Sequence, residues 1–122
     1  ILVIDDSPFL RDLLAAALGR MGYQVSGASG GTEALALVEK ESYDLLLVDL
    51  RMPGMDGQEF FRILASRHPE LRLRVIFITG DTVSQNSREF LESTGQPFLA
   101  KPFDLSELRQ MLVRELEKRQ AG

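Results

Sequence analysis

The chain contains no cysteine, which excludes disulfides, thiol catalysis and cysteine-based zinc sites outright. Its one histidine, His68, lies just before Pro69, where a helix is expected to end. We read it as a solvent-exposed loop histidine. Long apolar runs are missing too. The longest, such as Leu45-Leu46-Leu47-Val48, fall far short of the roughly 20 residues that span a bilayer. No charged-then-apolar leader opens the chain, so no signal peptide is expected. Nor is there an excess of basic residues. Lys and Arg number 14 against 18 Asp and Glu, a net charge of -4, and no basic stripe offsets it. A direct nucleic-acid surface is therefore not expected.

The 122 residues fit one ordinary domain, taken as 1–122, and leave no room for two. The chain is 44% hydrophobic and 26% charged, the balance of a soluble globular protein. It opens on Ile1-Leu2-Val3-Ile4 rather than Met, as expected of a domain excised from a longer protein. A cytoplasmic location is the expectation.

Strand and helix signals alternate along the whole chain. Ile1–Asp5 reads as a buried strand ending in acid. Ser7 then caps a helix with Pro8 in its first position, which suits a residue lacking an N–H. Phe9, Leu10, Leu13, Leu14, Ala17, Leu18 and Met21 recur with helical period, and Gly22 closes the helix. Tyr23–Ala28 reads as a more polar edge strand. A helix runs from Ser29-Gly30-Gly31 to about Glu41, with Ala34, Leu35 and Val38 inward. Tyr43–Asp49 is an unbroken apolar strand fit for burial on both faces. After the Met52–Gly57 loop comes a helix from about Gly57 to Arg67, with Phe60, Phe61 and Leu64 inward. Leu73–Thr79 is a fourth strand, and a short polar helix follows near Ser84–Glu92. Pro97–Lys101 is a fifth strand, placed at an edge by its proline. Asp104-Leu105-Ser106-Glu107 opens the last helix as a capping-box variant, with Leu105, Leu108, Leu112 and Leu116 as its buried stripe. Five βα units of this kind predict an α/β fold, an open parallel sheet with helices on both faces.

Ligands on such sheets sit beyond the carboxyl ends of the strands. The residues there are Asp5-Asp6, Asp49, Thr79 and Lys101, and parallel strands would bring all of them to one edge. Three carboxylates held together repel, on the order of 4 kcal/mol per pair at about 4 Å and an effective dielectric near 20. A proton or a metal relieves this. An all-oxygen, partly open site suits Mg²⁺, which completes its shell with water and substrate phosphate. Lys101 offers a point charge for a phosphate oxygen and Thr79 a hydroxyl. Asp49 is then a natural nucleophile for an aspartyl-phosphate. Each residue alone has a plain alternative. Asp5-Asp6 could be a strand end with a helix-entry acid, and Met52-Pro53-Gly54 could be only a turn. The joint order is what is specific.

Asp5-Asp6, the segment Asp49-Leu50-Arg51-Met52-Pro53-Gly54-Met55-Asp56-Gly57, Thr79, and Lys101-Pro102-Phe103 together resemble the signature of response-regulator receiver domains. The resemblance spans essentially the whole chain. It implies a flavodoxin-like (βα)5 fold with strand order 2-1-3-4-5. It also implies a two-component phosphorelay role, in which Asp49 accepts a phosphoryl group from a phosphohistidine. The donor would be a sensor histidine kinase or a histidine phosphotransfer protein. Such a domain would be no enzyme beyond its own phosphorylation and dephosphorylation. Mg²⁺, or Mn²⁺ in its place, would be held by Asp6, Asp49, the backbone carbonyl of Arg51, and Asp5 directly or through water. Thr79 and Lys101 would bind phosphoryl oxygens, and the Lys101-Pro102 bond would be cis. Phe98 matches the family's switch aromatic, acting with Thr79, with a plain core phenylalanine as the equal alternative. Arg51 and Asp81 occupy positions that tune such sites and could pair across the mouth, or stand as two solvated side chains. The readout would lie on the fourth helix, fifth strand and fifth helix, toward an output domain or target protein. The kinase-side partner would touch the first helix near Phe9, Leu10 and Leu14. Phe77–Thr82 and Thr94–Leu99 resemble receivers at the C-terminal end of hybrid histidine kinases. A stand-alone regulator, another multidomain parent and a homodimer through the output face all stay open.

Three rivals remain. A phosphatase like the haloacid dehalogenase superfamily needs a second Asp two residues after its nucleophile, where this chain has Arg51. A flavin or nucleotide module wants a Gly- or hydroxyl-rich first loop, where this chain has Asp5-Asp6. A non-phosphorylated, receiver-like binding module would not need the full set of acceptor-site residues.

Overall fold

The computed structural model describes residues 1–80 and 84–121, with side chains described through Lys118. Five strands, β1 (Leu2–Ile4), β2 (Ser26–Ala28), β3 (Leu46–Asp49), β4 (Val75–Thr79) and β5 (Phe98–Ala100), alternate with five helices. These are α1 (Pro8–Arg20), α2 (Gly31–Lys40), α3 (Gly57–Arg67), α4 (Gln85–Thr94) and α5 (Leu105–Ala121). All strand pairs are parallel, in the order β2-β1-β3-β4-β5. This is the expected order, with β2 and β5 at the edges.

Period-two alternation divides the core. Leu2, Ile4, Leu46, Val48, Val75 and Phe77 pack with Ala34, Leu35, Val38, Phe60, Phe61, Leu64 and Leu91 on the side of α2, α3 and α4. Val3, Leu45, Leu47, Ile76, Ile78 and Leu99 pack with Leu14, Leu18, Leu108 and Leu112 on the side of α1 and α5. Each fully buried side chain of this size contributes roughly 1.5–3 kcal/mol, so both faces are needed. Phe61, Phe77 and Phe90 add a ring cluster with centroids 5.3–5.9 Å apart, which ties α3 and α4 to β4.

The helix ends follow the expected chemistry. Ser7 Oγ accepts from the Leu10 N–H, Asp56 from Glu59 and Asp104 from Glu107. At the end of α1, Gly22 takes φ +97°. The N–H groups of Gly22 and Tyr23 reach back to the carbonyls of Gly19 and Leu18, a paired C-terminal lock that a glycine in this conformation permits.

The structure corrects several expectations. Every strand is shorter than its apolar run. Tyr23 and Val25 still pack on the core, but the β2 ladder begins only at Ser26. Likewise Tyr43 and Leu45 are buried without belonging to β3. Burial sets the apolar pattern, while pairing sets the strand. Leu73 is not in β4. It sits in a 3-10 turn over Pro69–Arg74 and is 65% exposed. The last strand stops at Ala100, so Pro97 and Lys101 flank it. In α5, Leu108 and Leu112 are buried, Leu116 is half-buried and Leu105 is exposed. Leu14 is buried beneath the helix face that carries Phe9 and Leu13 rather than exposed on it; Phe9 and Leu13 are the large apolar residues of α1 that stand exposed. His68 is not a free loop histidine. It is half-buried at the end of α3, its Nε2 3.1 Å from Glu39 Oε1 on α2.

Candidate phosphoacceptor site

Parallel pairing brings the strand ends together. Ile4 pairs with Val48, so Asp5 falls beside Asp49; Thr79 pairs with Ala100, so Lys101 follows directly. Three backbone bonds extend the ladders past the strands and fix these residues. The Asp5 N–H donates to Ala28 O (3.1 Å), the Leu50 N–H to Ile78 O (3.0 Å) and the Lys101 N–H to Thr79 O (2.7 Å). Side-chain parity does the rest. Asp5, Asp49 and Lys101 continue the alternation of Val3, Leu47 and Leu99, all on the α1/α5 side of the sheet.

The side chains meet there. Lys101 Nζ stands 3.3 Å from Asp49 Oδ2 and 3.5 Å from Asp5 Oδ2. Asp49 Oδ1 accepts the Arg51 N–H at 3.1 Å, and Asp5 Oδ1 accepts the Ser7 N–H at 2.9 Å. Asp5 and Asp49 are buried, while Asp6 is exposed at the rim. Each of the three offers a carboxylate oxygen, and these atoms lie within 4.8 Å of one another. Burial pushes the Asp49 carboxyl above its ordinary range. The Arg51 N–H pulls against this, the neighbouring Asp5 charge adds to it, and Lys101 opposes it. The balance is a carboxylate held short of full charge compensation, which a divalent cation at the same oxygens would complete. The all-oxygen donor set and an exposed Asp6 fit Mg²⁺, which keeps several waters.

Thr79 is buried at the end of β4, and the Lys101-Pro102 bond is cis, as expected. Phe98 is 43% exposed, which removes the plain core reading and leaves an aromatic turned outward on the edge strand. Arg51 is exposed, and its proposed pairing with Asp81 lies outside the described residues. Sequence reasoning missed two supports. Gly57 opens α3 directly against β3: a Cβ there would stand 2.5 Å from Asp49 O and 2.7 Å from Leu50 Cα. Arg11 Nη1 donates to the Asp5 backbone carbonyl at 2.6 Å. The signal for Arg11 was a cation on the face of the first helix otherwise read as apolar.

Comparison with known proteins agrees with this geometry. Residues 1–113 match the family model of the response regulator receiver domain. The chain is 37% identical over 118 residues to sensor histidine kinase RcsC of Salmonella typhi, covering 97% of this chain and 12% of that protein. It therefore spans about an eighth of that relative. It is 35% identical over 117 residues to sporulation initiation phosphotransferase F of Bacillus subtilis, covering 95% of this chain and 92% of that protein. Among solved structures, chemotaxis protein CheY4 of Vibrio cholerae superposes with a TM-score of 0.83 at 30% identity, covering 93% of this chain and 94% of that one. Response regulator TrrA of Thermotoga maritima, in complex with Mg²⁺ and BeF, gives 0.80 at 30% identity, with 93% and 96% covered. A parallel sheet in this order, carrying an acidic cluster and a lysine at its carboxyl edge, places the chain in the response regulator receiver domain family of two-component signalling.

Proposed function

We propose that Asp49 is the phosphoacceptor of this receiver, taking a phosphoryl group from the phosphohistidine of a sensor kinase or phosphotransfer protein. The observation that carries this is the position of the Lys101 ammonium, which bridges the buried Asp49 and Asp5 carboxylates. In transfer, an Asp49 oxygen attacks phosphorus, and the P–N bond breaks with its electron pair going to the imidazole nitrogen, which takes a proton from solvent. Lys101 moves from the carboxylate pair to a phosphoryl oxygen, and the Thr79 hydroxyl donates to another. Asp5, Asp6, Asp49 and the Arg51 carbonyl would hold Mg²⁺ or Mn²⁺, which supplies charge neutralisation for the incoming phosphoryl group. The domain catalyses only its own phosphorylation and dephosphorylation.

Phosphate contacts by Thr79 and Lys101 exist only in the phosphorylated state, so they supply the differential interaction a switch needs. Phe98 turns inward as Thr79 moves, and the readout falls on α4, β5 and α5, facing an output domain or target protein. Phe9 and Leu10 on α1, with Phe103, offer the apolar approach to the donor. No described helix is long and apolar enough to cross a membrane, and we place the domain in the cytoplasm as a single receiver unit. The kinship with RcsC favours a hybrid histidine kinase as parent.

Incubation with acetyl phosphate and Mg²⁺, followed by intact-mass measurement, tests the assignment. One phosphoryl adduct is expected, lost in Asp49→Asn and on omission of metal. An adduct that survives Asp49→Asn sinks it.

A further inference from the structure

Arg11 stands outside the acidic cluster yet is bonded to its frame. It lies in the first turn of α1 and is half-buried. Its Nη1 donates to the backbone carbonyl of Asp5 at 2.6 Å, a charge-assisted bond stronger than an ordinary amide one. Its stem crosses β2, where a Cβ on Gly27 would stand 3.4 Å from Arg11 Cδ.

That bond completes a three-point hold on Asp5. The Asp5 N–H is tied to Ala28 O, its Oδ1 to the Ser7 N–H and its carbonyl to Arg11. The carbonyl shares a rigid peptide plane with the N–H of Asp6. Fixing the carbonyl therefore fixes the plane from which the Asp6 side chain departs. Asp6 is the exposed member of the acidic group, so its direction depends on the backbone that carries it more than on packing.

We propose that Arg11 is a positioning residue for the metal site, holding the Asp5–Asp6 peptide so that the Asp6 carboxylate converges with those of Asp5 and Asp49. The proposal rests on the metal site argued above. Coulomb's law gives it a diagnostic sign. A guanidinium this near the site repels a divalent cation, so deleting its charge alone would tighten metal binding. Losing its hold on the peptide would weaken it, since groups that orient ligands typically contribute 10–100-fold in metal affinity.

The test is Mg²⁺ and Mn²⁺ titration of the full chain by calorimetry for wild type and Arg11→Met, beside metal-free thermal melts. Roughly tenfold weaker binding in Arg11→Met is expected. The acetyl-phosphate adduct should be restored to the wild-type level at saturating Mg²⁺. Unchanged or tighter binding in folded Arg11→Met overturns the proposal. If Arg11→Met does not fold, Arg11→Gln, which loses the charge and the reach but keeps polar atoms, is read by the same rule. A wild-type chain that binds no Mg²⁺ overturns the metal site itself, whereas a metal-binding wild type with an indifferent Arg11→Met overturns only the role of Arg11.

Discussion

Lys101 and Asp49, 52 positions apart in the chain, are joined by a 3.3 Å ion pair at the carboxyl edge of the sheet. The lysine is about one-third exposed while the aspartate is buried, so one partner can swing toward an incoming group while the other stays fixed. In the resting protein Lys101 neutralises part of the charge that Asp5 and Asp49 concentrate there.

Lys101→Met should therefore separate two effects. Removing a competing cation tightens Mg²⁺ binding, seen as a leftward shift of the titration. Removing the phosphoryl-oxygen contact slows phosphorylation by acetyl phosphate by about 10²-fold or more at saturating metal, the usual scale for losing one transition-state donor. A variant that is phosphorylated at the wild-type rate would remove Lys101 from the chemistry.

Asp49→Asn tests the electrostatics in the absence of metal. The folded-state pKa of Asp49 is raised, chiefly by burial, so the native state binds more protons than the unfolded chain between the ordinary and raised values. Stability from this group is complete below the ordinary value and falls as pH rises through the raised one. The asparagine variant does not suffer that loss. It should be more stable than wild type at neutral pH, with the gap closing as pH is lowered through the raised value. Urea denaturation across that pH range, with chelator present, provides the measurement. A gap that widens on acidification would reverse the assigned sign.

Much of this site was legible in the sequence because a parallel sheet converts chain order into spatial coincidence. Asp5, Asp49, Thr79 and Lys101 each close an apolar run, so placing the runs as parallel strands placed the residues. Strand limits were less legible, because Tyr43, Leu45 and Val25 are apolar for packing and not for pairing. His68 was misread for a related reason: its pairing with Glu39 joins residues 29 positions apart, which no local pattern records. Arg11 and Gly57 were missed as supports because each acts on a backbone atom. Residue chemistry advertises a carboxylate site far better than it advertises what holds the peptide beneath it.

Magnesium should stabilise the fold in proportion to its binding. A ligand at 100 times its dissociation constant adds about 2.7 kcal/mol, or roughly 10 °C in a domain of this size. Asp6→Asn should abolish most of that shift while leaving the metal-free melting temperature nearly unchanged, because Asp6 is exposed. Scanning melts with and without Mg²⁺ decide the matter. A full Mg²⁺ shift in Asp6→Asn would take this residue out of the ligand set.

Gly57→Ala should be the most damaging methyl in the chain near the site. The added Cβ would lie 2.5 Å from the carbonyl oxygen of Asp49 and 2.7 Å from Leu50 Cα. Both are backbone atoms, held by the Leu50 N–H bond to Ile78 and by the Gly57 N–H bond to Leu50 O, so no side chain can swing aside. Either α3 withdraws from β3 or the end of β3 moves. A cost of roughly 1–3 kcal/mol follows from overpacking of this kind, with a loss of phosphorylation that excess Mg²⁺ does not restore. Gly31→Ala is the control. Its Cβ would meet Met55 Sδ at 2.6 Å, but a thioether has rotatable bonds and can yield. That variant should lose less than about 1 kcal/mol and keep its adduct. Equal damage from the two alanines would mean that the close approach of α3 to Asp49 is not what holds the acceptor in place.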